Sequence, residues 1–238
     1  MNLALIGYGK MGKAIEQIAS ERGHTVALRI SSANLDQLNP ENLKKCDVAI
    51  EFTTPESAAD NIRLCIEAGI PVISGSTGWL DELGAMEELC KQKDGTFLYA
   101  SNFSVGVNIF FELNRKLAKL MASREEYNVS IDETHHTQKK DAPSGTAITL
   151  AEQILKESKI KNSWTLSRRE KADEIAITSV RRDPAPGTHR IVYSSPVDDI
   201  EIIHTAHNRT GFATGAVLAA EYAVEHKGVL TMKDVLGM

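Results

Sequence analysis

The stretch Glu133-Thr134-His135-His136-Thr137-Gln138-Lys139-Lys140-Asp141-Ala142-Pro143-Ser144-Gly145-Thr146 gathers more reactive side chains than any other part of the chain. His135 and His136 can give or take a proton near neutral pH, and Lys139 and Lys140 supply cationic donors. Ser144, Gly145 and Thr146 stand where a helix begins, a place whose backbone N–H groups favour an anion. Together they suit a carboxylate-bearing ligand that must be protonated. A two-histidine metal site is the rival, but neighbouring histidines on a strand point to opposite faces, and neither a cysteine nor an H-x-x-x-H repeat completes a ligand set. No metal is assigned, and a capped turn without chemistry is the other alternative.

A second constellation opens the chain. Gly7-Tyr8-Gly9-Lys10-Met11-Gly12 follows the apolar run 3–6 and leads into a helical pattern, the context in which G-x-G-x-x-G carries weight. A dinucleotide's pyrophosphate needs N–H donors and a helix N-terminus at close range, which the chain can offer only where side chains are absent. The next strand ends Arg29-Ile30-Ser31-Ser32, with no acid for a ribose 2′-hydroxyl and with Asp36 too far on. A cation beside small hydroxyls suits a 2′-phosphate, so NADPH is expected in preference to NADH. Three further loops lie where strands of such a sheet end: Phe52-Thr53-Thr54-Pro55, Gly75-Ser76-Thr77-Gly78 and Ala100-Ser101-Asn102-Phe103. Their small and hydroxylated residues are candidates to approach a nicotinamide ring and its carboxamide.

These residues need a scaffold. Strand patterns at 3–6, 25–30, 47–52, 71–74 and 96–100 alternate with helical patterns at 10–22, 55–68 and 80–92, which predicts an α/β, Rossmann-type doubly wound parallel sheet. After Asn102 the rhythm changes. An amphipathic helix over 105–121, with Ile109, Leu113, Leu117 and Leu120 along one face, is followed by a strand at 127–133 and a helix at 144–156. Strands at 164–166, 175–180, 188–193 and 199–206 then predict a second α+β domain on an open mixed sheet, mostly antiparallel. A last helix at 215–224 is expected to pack back on the first domain. The dinucleotide-binding domain is thus 1–104 plus 213–238, and a substrate-binding and oligomerisation domain is 105–212.

With 238 residues, 42% of them hydrophobic and 25% charged, the chain has material for two cores. A net charge of −5 offers no positive field for DNA, and no apolar run approaches the roughly 20 residues of a bilayer span. Nucleic acid and membrane are therefore not expected as partners. The opening residues lack the features of a signal peptide, which predicts a cytoplasmic protein. Cys46, Cys65 and Cys90 stand far apart with no C-x-x-C pair and are read as buried thiols.

The glycine loop ending Lys10-Met11-Gly12, the Phe52-Thr53 and Gly75-Ser76-Thr77-Gly78 loops, the run Asn102-Phe103-Ser104-Val105-Gly106-Val107-Asn108 and the stretch from His135 to Thr146 together resemble the 4-hydroxy-tetrahydrodipicolinate reductase family, the dihydrodipicolinate reductases of bacterial lysine biosynthesis. The resemblance covers nearly the whole chain, and the stretch that begins at His135 and ends with Lys139 to Ala147 is its most specific part. It implies that His135 is the general acid/base, that His136 contacts substrate, that Lys139 is a catalytic proton donor, and that Gly145 and Thr146 bind a substrate carboxylate. Members often carry Arg and His where this chain has Thr137 and Gln138, so the local positive charge is lower here. The implied reaction delivers hydride from C4 of a nicotinamide to a conjugated cyclic imine dicarboxylate whose ring His135 then protonates. The implied assembly is a homotetramer, and the open edges of the second sheet also call for a partner. Domain junctions near Asn102 and Gly211 predict hinge closure, with Arg209 a candidate for the hinge or the site wall. A dinucleotide-sensing regulator is the non-enzymatic rival; it would keep Gly7, Gly9 and Gly12 but need no proton donor.

Overall fold

Leu3, Ala4, Leu5 and Ile6 are all buried, as a short apolar run must be in an interior strand covered by helices on both sides. The computed structural model describes residues 1–166, 171–208 and 210–238 and places this run in β1 (Asn2–Ile6). Alternation sends Leu3 and Leu5 into one core cluster and Ala4 and Ile6 into another. The chain then runs through α1 (Lys10–Glu21), β2 (Thr25–Ile30), α2 (Pro40–Leu43), β3 (Val48–Glu51), α3 (Pro55–Glu67), β4 (Val72–Ser74), α4 (Leu83–Gln92) and β5 (Thr96–Tyr99). The helix expected over 80–92 begins as a separate 3₁₀ turn, Leu80–Glu82.

Beyond α5 (Val105–Met121) come β6 (Asn128–His135), α6 (Gly145–Glu157), β7 (Ser163–Thr165), β8 (Glu174–Arg181), β9 (Gly187–Ser194) and β10 (Asp199–Ala206), and after them α7 (Thr210–Glu225), β11 (Gly228–Leu230) and α8 (Met232–Leu236). Two compact units result. One comprises Met1–Asn108 with Thr210–Met238, and the other begins at Ile109.

The first unit holds a parallel sheet in the order β11-β5-β4-β3-β1-β2. Its sixth strand, β11, is three residues long, too short to leave a periodic signal, and was not among the expected strands. Helix α7 belongs to this unit as expected: Ala213, Ala216, Ala219, Ala220 and Ala223 are fully buried in the same cluster as Leu3 and Leu5.

The second unit carries a sheet in the order β10-β9-β6-β8-β7. It is mixed, but not mostly antiparallel. β6 pairs antiparallel with β9 and β9 with β10, while β6–β8 and β7–β8 are parallel. The reason is α6, a 13-residue crossover that returns the chain in the direction it left, as a parallel pair requires. The face of α5 also differs from expectation. Val107, Phe110, Phe111, Asn114 and Ala118 are its buried residues, whereas Ile109, Leu113 and Leu120 are exposed, because this helix is apolar on more than one side and periodicity alone could not choose. Asn114 fixes the packing of α5 on α6 by donating to the Leu150 carbonyl at 3.0 Å.

Candidate active site

At the C-terminal ends of β1, β2 and β3 lies a cavity of about 410 Å³, lined by Ile6, Gly7, Tyr8, Gly9, Ile30, Ser31, Ser32, Leu35, Thr53, Thr54, Ser57 and Asn61. In open parallel sheets this edge, where the strand order reverses beside β1, is where ligands bind. The three glycines have separate duties. A Cβ on Gly7, whose φ is +97°, would stand 2.0 Å from the carbonyl oxygen of Phe52, and one on Gly12 would stand 2.5 Å from that of Gly7, so both are required by packing within the chain. Gly9 lines the cavity and its Cβ position meets no protein atom within 4 Å. It is also the N-cap of α1 and makes no side-chain cap, which leaves N–H groups of the first turn available to an anion. The cradle fits a dinucleotide pyrophosphate.

Six of the expected cofactor residues, Gly7, Tyr8, Gly9, Ser31, Ser32 and Thr53, therefore line one cavity, with Thr54 of the expected loop beside them; Leu35, Ser57 and Asn61 join them without having been expected. Arg29 does not line it. Its guanidinium is held by Glu16 on α1, which also accepts from the Tyr8 hydroxyl, and its Nη1 donates to the Val26 carbonyl. Lys10 and Met11 start the helix rather than line the cavity. Phe103 is a core residue, 2% exposed and packed against Phe52 with ring centroids 5.7 Å apart. Gly75 is needed because a Cβ would meet the Phe52 ring at 2.2 Å. Asn102 is used locally, its Oδ1 accepting from the Ser104 N–H. Ala100, Ser101 and Thr77 lie outside the cavity lining.

Glu51, which the sequence did not single out, organises this edge. Its fully buried carboxylate accepts from Thr53 N–H at 2.9 Å, Ser76 Oγ at 2.8 Å and Ser74 Oγ at 2.6 Å, and from the Thr53 hydroxyl. The Ser76 hydroxyl is thus spent on holding two strand-end loops together.

In the second unit, β6 points Val129, Ile131, Glu133 and His135 inward in alternation, so the sheet face ends in two polar side chains. Register brings Arg181 of β8 beside His135 and His189 of β9 beside Glu133. Arg181 Nη2 donates to Glu133 Oε1 at 3.0 Å, and the Ser144 N–H reaches both Glu133 oxygens, at 3.1 and 3.2 Å. Burial by itself would raise the Glu133 pKa, but the contacts with His135, Ser144, Ser179 and Arg181 outweigh it and hold the group well below the usual carboxylate range.

His189 lies edge-on to His135 with centroids 5.1 Å apart, and its Nε2 is 3.1 Å from Ser144 Oγ. Burial first, and then the charge of His135, push His189 down to about 4. A depressed histidine pKa gives a signed stability effect. The unfolded chain takes this proton near pH 6.5 and the folded chain does not, so the folded state binds fewer protons between the two values. Stability is full above that window and falls as pH drops through it, by ~3 kcal/mol at most. Chemical denaturation at about pH 7 and about pH 4.5 checks this: His189→Gln should lose less stability across the interval than the unsubstituted protein.

The loop that follows β6 carries the remaining candidates. Lys139 Nζ pairs with Asp141 at 2.8 Å, which lowers the Asp141 pKa. Arg181 braces the loop from below, with Nε on the Lys139 carbonyl at 3.3 Å and Nη2 on that of Asp141. His136 lies past the end of the strand and half-buried; Thr137 bonds to Asp183 through its N–H and its hydroxyl. Ser144 is the N-cap of α6 and accepts from Ala147 N–H. Ser144 gives its own N–H to Glu133 and engages its hydroxyl with Ala147 N–H and His189 Nε2. Gly145 and Thr146 differ: among the described residues their N–H groups meet no acceptor. Arg209 lies outside the described residues.

Glu133, His135 and His189 each bring one ligand atom within 4.8 Å of the others, a set that spans two strands and was not anticipated when a metal was weighed against the adjacent histidines. The donor chemistry does not suit a cation. Glu133 already carries a guanidinium and an N–H group as partners, which neutralise the charge a cation would need.

A parallel sheet with a dinucleotide cradle at its first strand–helix turn, joined to an α+β unit bearing acid–base groups, defines a nicotinamide-dependent oxidoreductase. Family models of dihydrodipicolinate reductase match the chain twice, the N-terminal one over residues 1–103 and the C-terminal one over residues 106–236. The chain belongs to the dihydrodipicolinate reductase family. A 4-hydroxy-tetrahydrodipicolinate reductase of Christiangramia forsetii is 50% identical over 238 residues, 99% of this chain and 98% of that one. One of Methanosarcina barkeri is 38% identical over 210 residues, 86% of this chain and 78% of that one. The dipicolinate-bound dihydrodipicolinate reductase of Paenisporosarcina sp. TG-14 matches 97% of each chain with a TM-score of 0.78 at 25% identity.

Proposed function

We infer that this chain reduces 4-hydroxy-tetrahydrodipicolinate to tetrahydrodipicolinate with NAD(P)H, a step of diaminopimelate and lysine biosynthesis. The observation that carries the reading is the loop from His135 to Thr146, in which a histidine, an exchangeable lysine and two open helix N–H groups stand within one turn of chain beside the sheet end. Gly145 and Thr146 hold a substrate carboxylate through their N–H groups. Lys139 joins them. Its pair with Asp141 is partly exposed, and such pairs are worth about 0 to 1 kcal/mol, so a ligand carboxylate displaces Asp141 at little cost. His136 contacts the substrate from the same loop. His135 protonates the ring as negative charge develops on it. The reduced nicotinamide supplies the hydride when bound; Gly7, Gly9 and the first turn of α1 hold its pyrophosphate, and Ser31, Ser32 and Thr53 line the nucleoside side. The test is a coupled assay in which NADPH is oxidised only when dihydrodipicolinate synthase product is supplied; oxidation without it, or none with it, rejects the reading.

NADPH is the preferred cofactor in this reading. Ser31 and Ser32 line the cavity, and Arg29, itself partly exposed, reaches it by exchanging its half-buried partner Glu16 for a 2′-phosphate. Arg29→Ala should therefore lower kcat/KM for NADPH about tenfold and leave that for NADH within about twofold. Equal losses with both cofactors would remove Arg29 from phosphate recognition.

The assembly proposed is a cytoplasmic homotetramer. Strand β10 is an edge strand of eight residues whose Ile200 and Ile203 are 37% and 56% exposed, an edge that calls for pairing. Among the described residues no helix is long and apolar enough to cross a membrane.

A further inference from the structure

A carboxylate as deep as that of Glu133, 1% exposed, stays ionised only where its oxygens are satisfied, and Arg181 with Ser144 supplies that. Two imidazoles remain beside it, and that of His189, 3.7 Å from Oε2, is taken up by Ser144 Oγ. Nδ1 of His135 lies 3.2 Å from Glu133 Oε2, is sealed from solvent, and has no other hydrogen-bond partner; its N–H direction is not yet aligned on that oxygen. A buried ring nitrogen that carries a proton needs an acceptor, and Glu133 is the acceptor within reach. The other ring nitrogen faces Gly187, where a Cβ would stand 3.1 Å from Nε2, so glycine keeps that side uncrowded. The titratable group packed on the His135 ring is His189, edge-on at 5.1 Å; Arg181, opposite His135 across the strand pair, is committed to Glu133, and Lys139 pairs with Asp141 on the following loop.

We propose that Glu133 is a positioning residue for the proton donor: it keeps a proton on Nδ1 of His135, so that Nε2 delivers the proton to substrate, and through the Ser144 N–H it holds the carboxylate-binding turn in register with that nitrogen. This rests on the reading of His135 as the acid. In the step, the Nε2–H bond of the imidazolium breaks, its electron pair stays on the ring, and the proton passes to the substrate. The ring is left neutral, in the tautomer whose Nδ1–H faces an ionised carboxylate, the arrangement by which an acceptor on one ring nitrogen sets the role of the other. Arg181 anchors the pair and also grips the Lys139 and Asp141 carbonyls, which ties the lysine to the same fixed point.

Glu133→Gln keeps the shape and removes the charge. In the otherwise unchanged enzyme it should lower kcat about 10- to 100-fold with KM for substrate within about threefold; in a His135→Gln background it should change kcat by less than about twofold. A packing role alone would lower kcat by the same factor in both backgrounds, and that result overturns the proposal. Nitrogen-15 spectra of the histidine rings in the unsubstituted protein, with His135 assigned by its loss in His135→Gln, read the tautomer without requiring Glu133→Gln to fold. A neutral ring protonated on Nδ1 supports the proposal, and one protonated on Nε2 overturns it. Full kcat in His135→Gln would defeat the acid assignment instead, an outcome visible before any change at Glu133 is made.

Discussion

Replacing His135 by alanine is expected to lower kcat about 100- to 10,000-fold while KM for the dicarboxylate substrate changes by less than about threefold. The asymmetry follows from where the work is divided. In the proposed reading Gly145, Thr146 and Lys139 hold the carboxylate, and none of them depends on the imidazole for its position: Gly145 and Thr146 are fixed by the cap that Ser144 makes, and Lys139 by the turn that Arg181 braces. As the proposed acid, His135 would act on charge that exists only once the hydride has arrived, so its loss should be felt in the transition state and not in the ground-state complex. The fold should persist, because Glu133 keeps Arg181 and the Ser144 N–H as partners after the ring is gone. Steady-state kinetics with enzymatically generated substrate, read beside the melting temperature, measure both quantities. An unchanged kcat would take His135 out of the proton transfer; a lost melting transition would make Glu133 dependent on the ring for its own stability.

His135, Lys139, Gly145 and Thr146 were legible because they lie within one stretch of twelve positions whose residue types and order are unusual. Their supports were not. Arg181 stands 48 positions from Glu133 and meets it only through the parallel pairing of β6 with β8; His189 arrives from the other side through β9. A lone arginine and a lone histidine on strands carry no local mark of a partner, and Glu133, though inside the motif, reads as a surface acid until alternation places it on the inward face with His135. In the first unit the glycine loop announced itself, but Glu51 did not, since a single acid at a strand end gains meaning only when three neighbouring hydroxyls and one N–H turn towards it. Arg29 has a partner that its neighbours in the sequence do not announce. Its position beside Ser31 and Ser32 suggested a ligand contact, while the structure gives its guanidinium to Glu16, a helix residue 13 positions away.

The glycine loop offers a sharper separation of fold from function than any single substitution. Gly9→Ala should leave the melting temperature within about 2 °C, since φ is negative, −89°, and the added carbon meets no protein atom within 4 Å. The same change should raise Kd for NAD(P)H about tenfold or more, because that carbon stands where backbone must approach a pyrophosphate. Gly7→Ala should behave oppositely. Its Cβ would lie 2.0 Å from the Phe52 carbonyl oxygen at a φ of +97°, a conflict between two backbone segments that no side-chain rotation relieves. The expected cost is about 4 kcal/mol or more, with the first unit unfolding at a markedly lower temperature. Fluorescence titration and thermal melts on both variants decide the matter. If Gly9→Ala binds NAD(P)H with undiminished affinity, the pyrophosphate lies elsewhere. Gly7 and Gly12 would then be explained by packing alone, and the loop would be no more than a tight strand-to-helix turn.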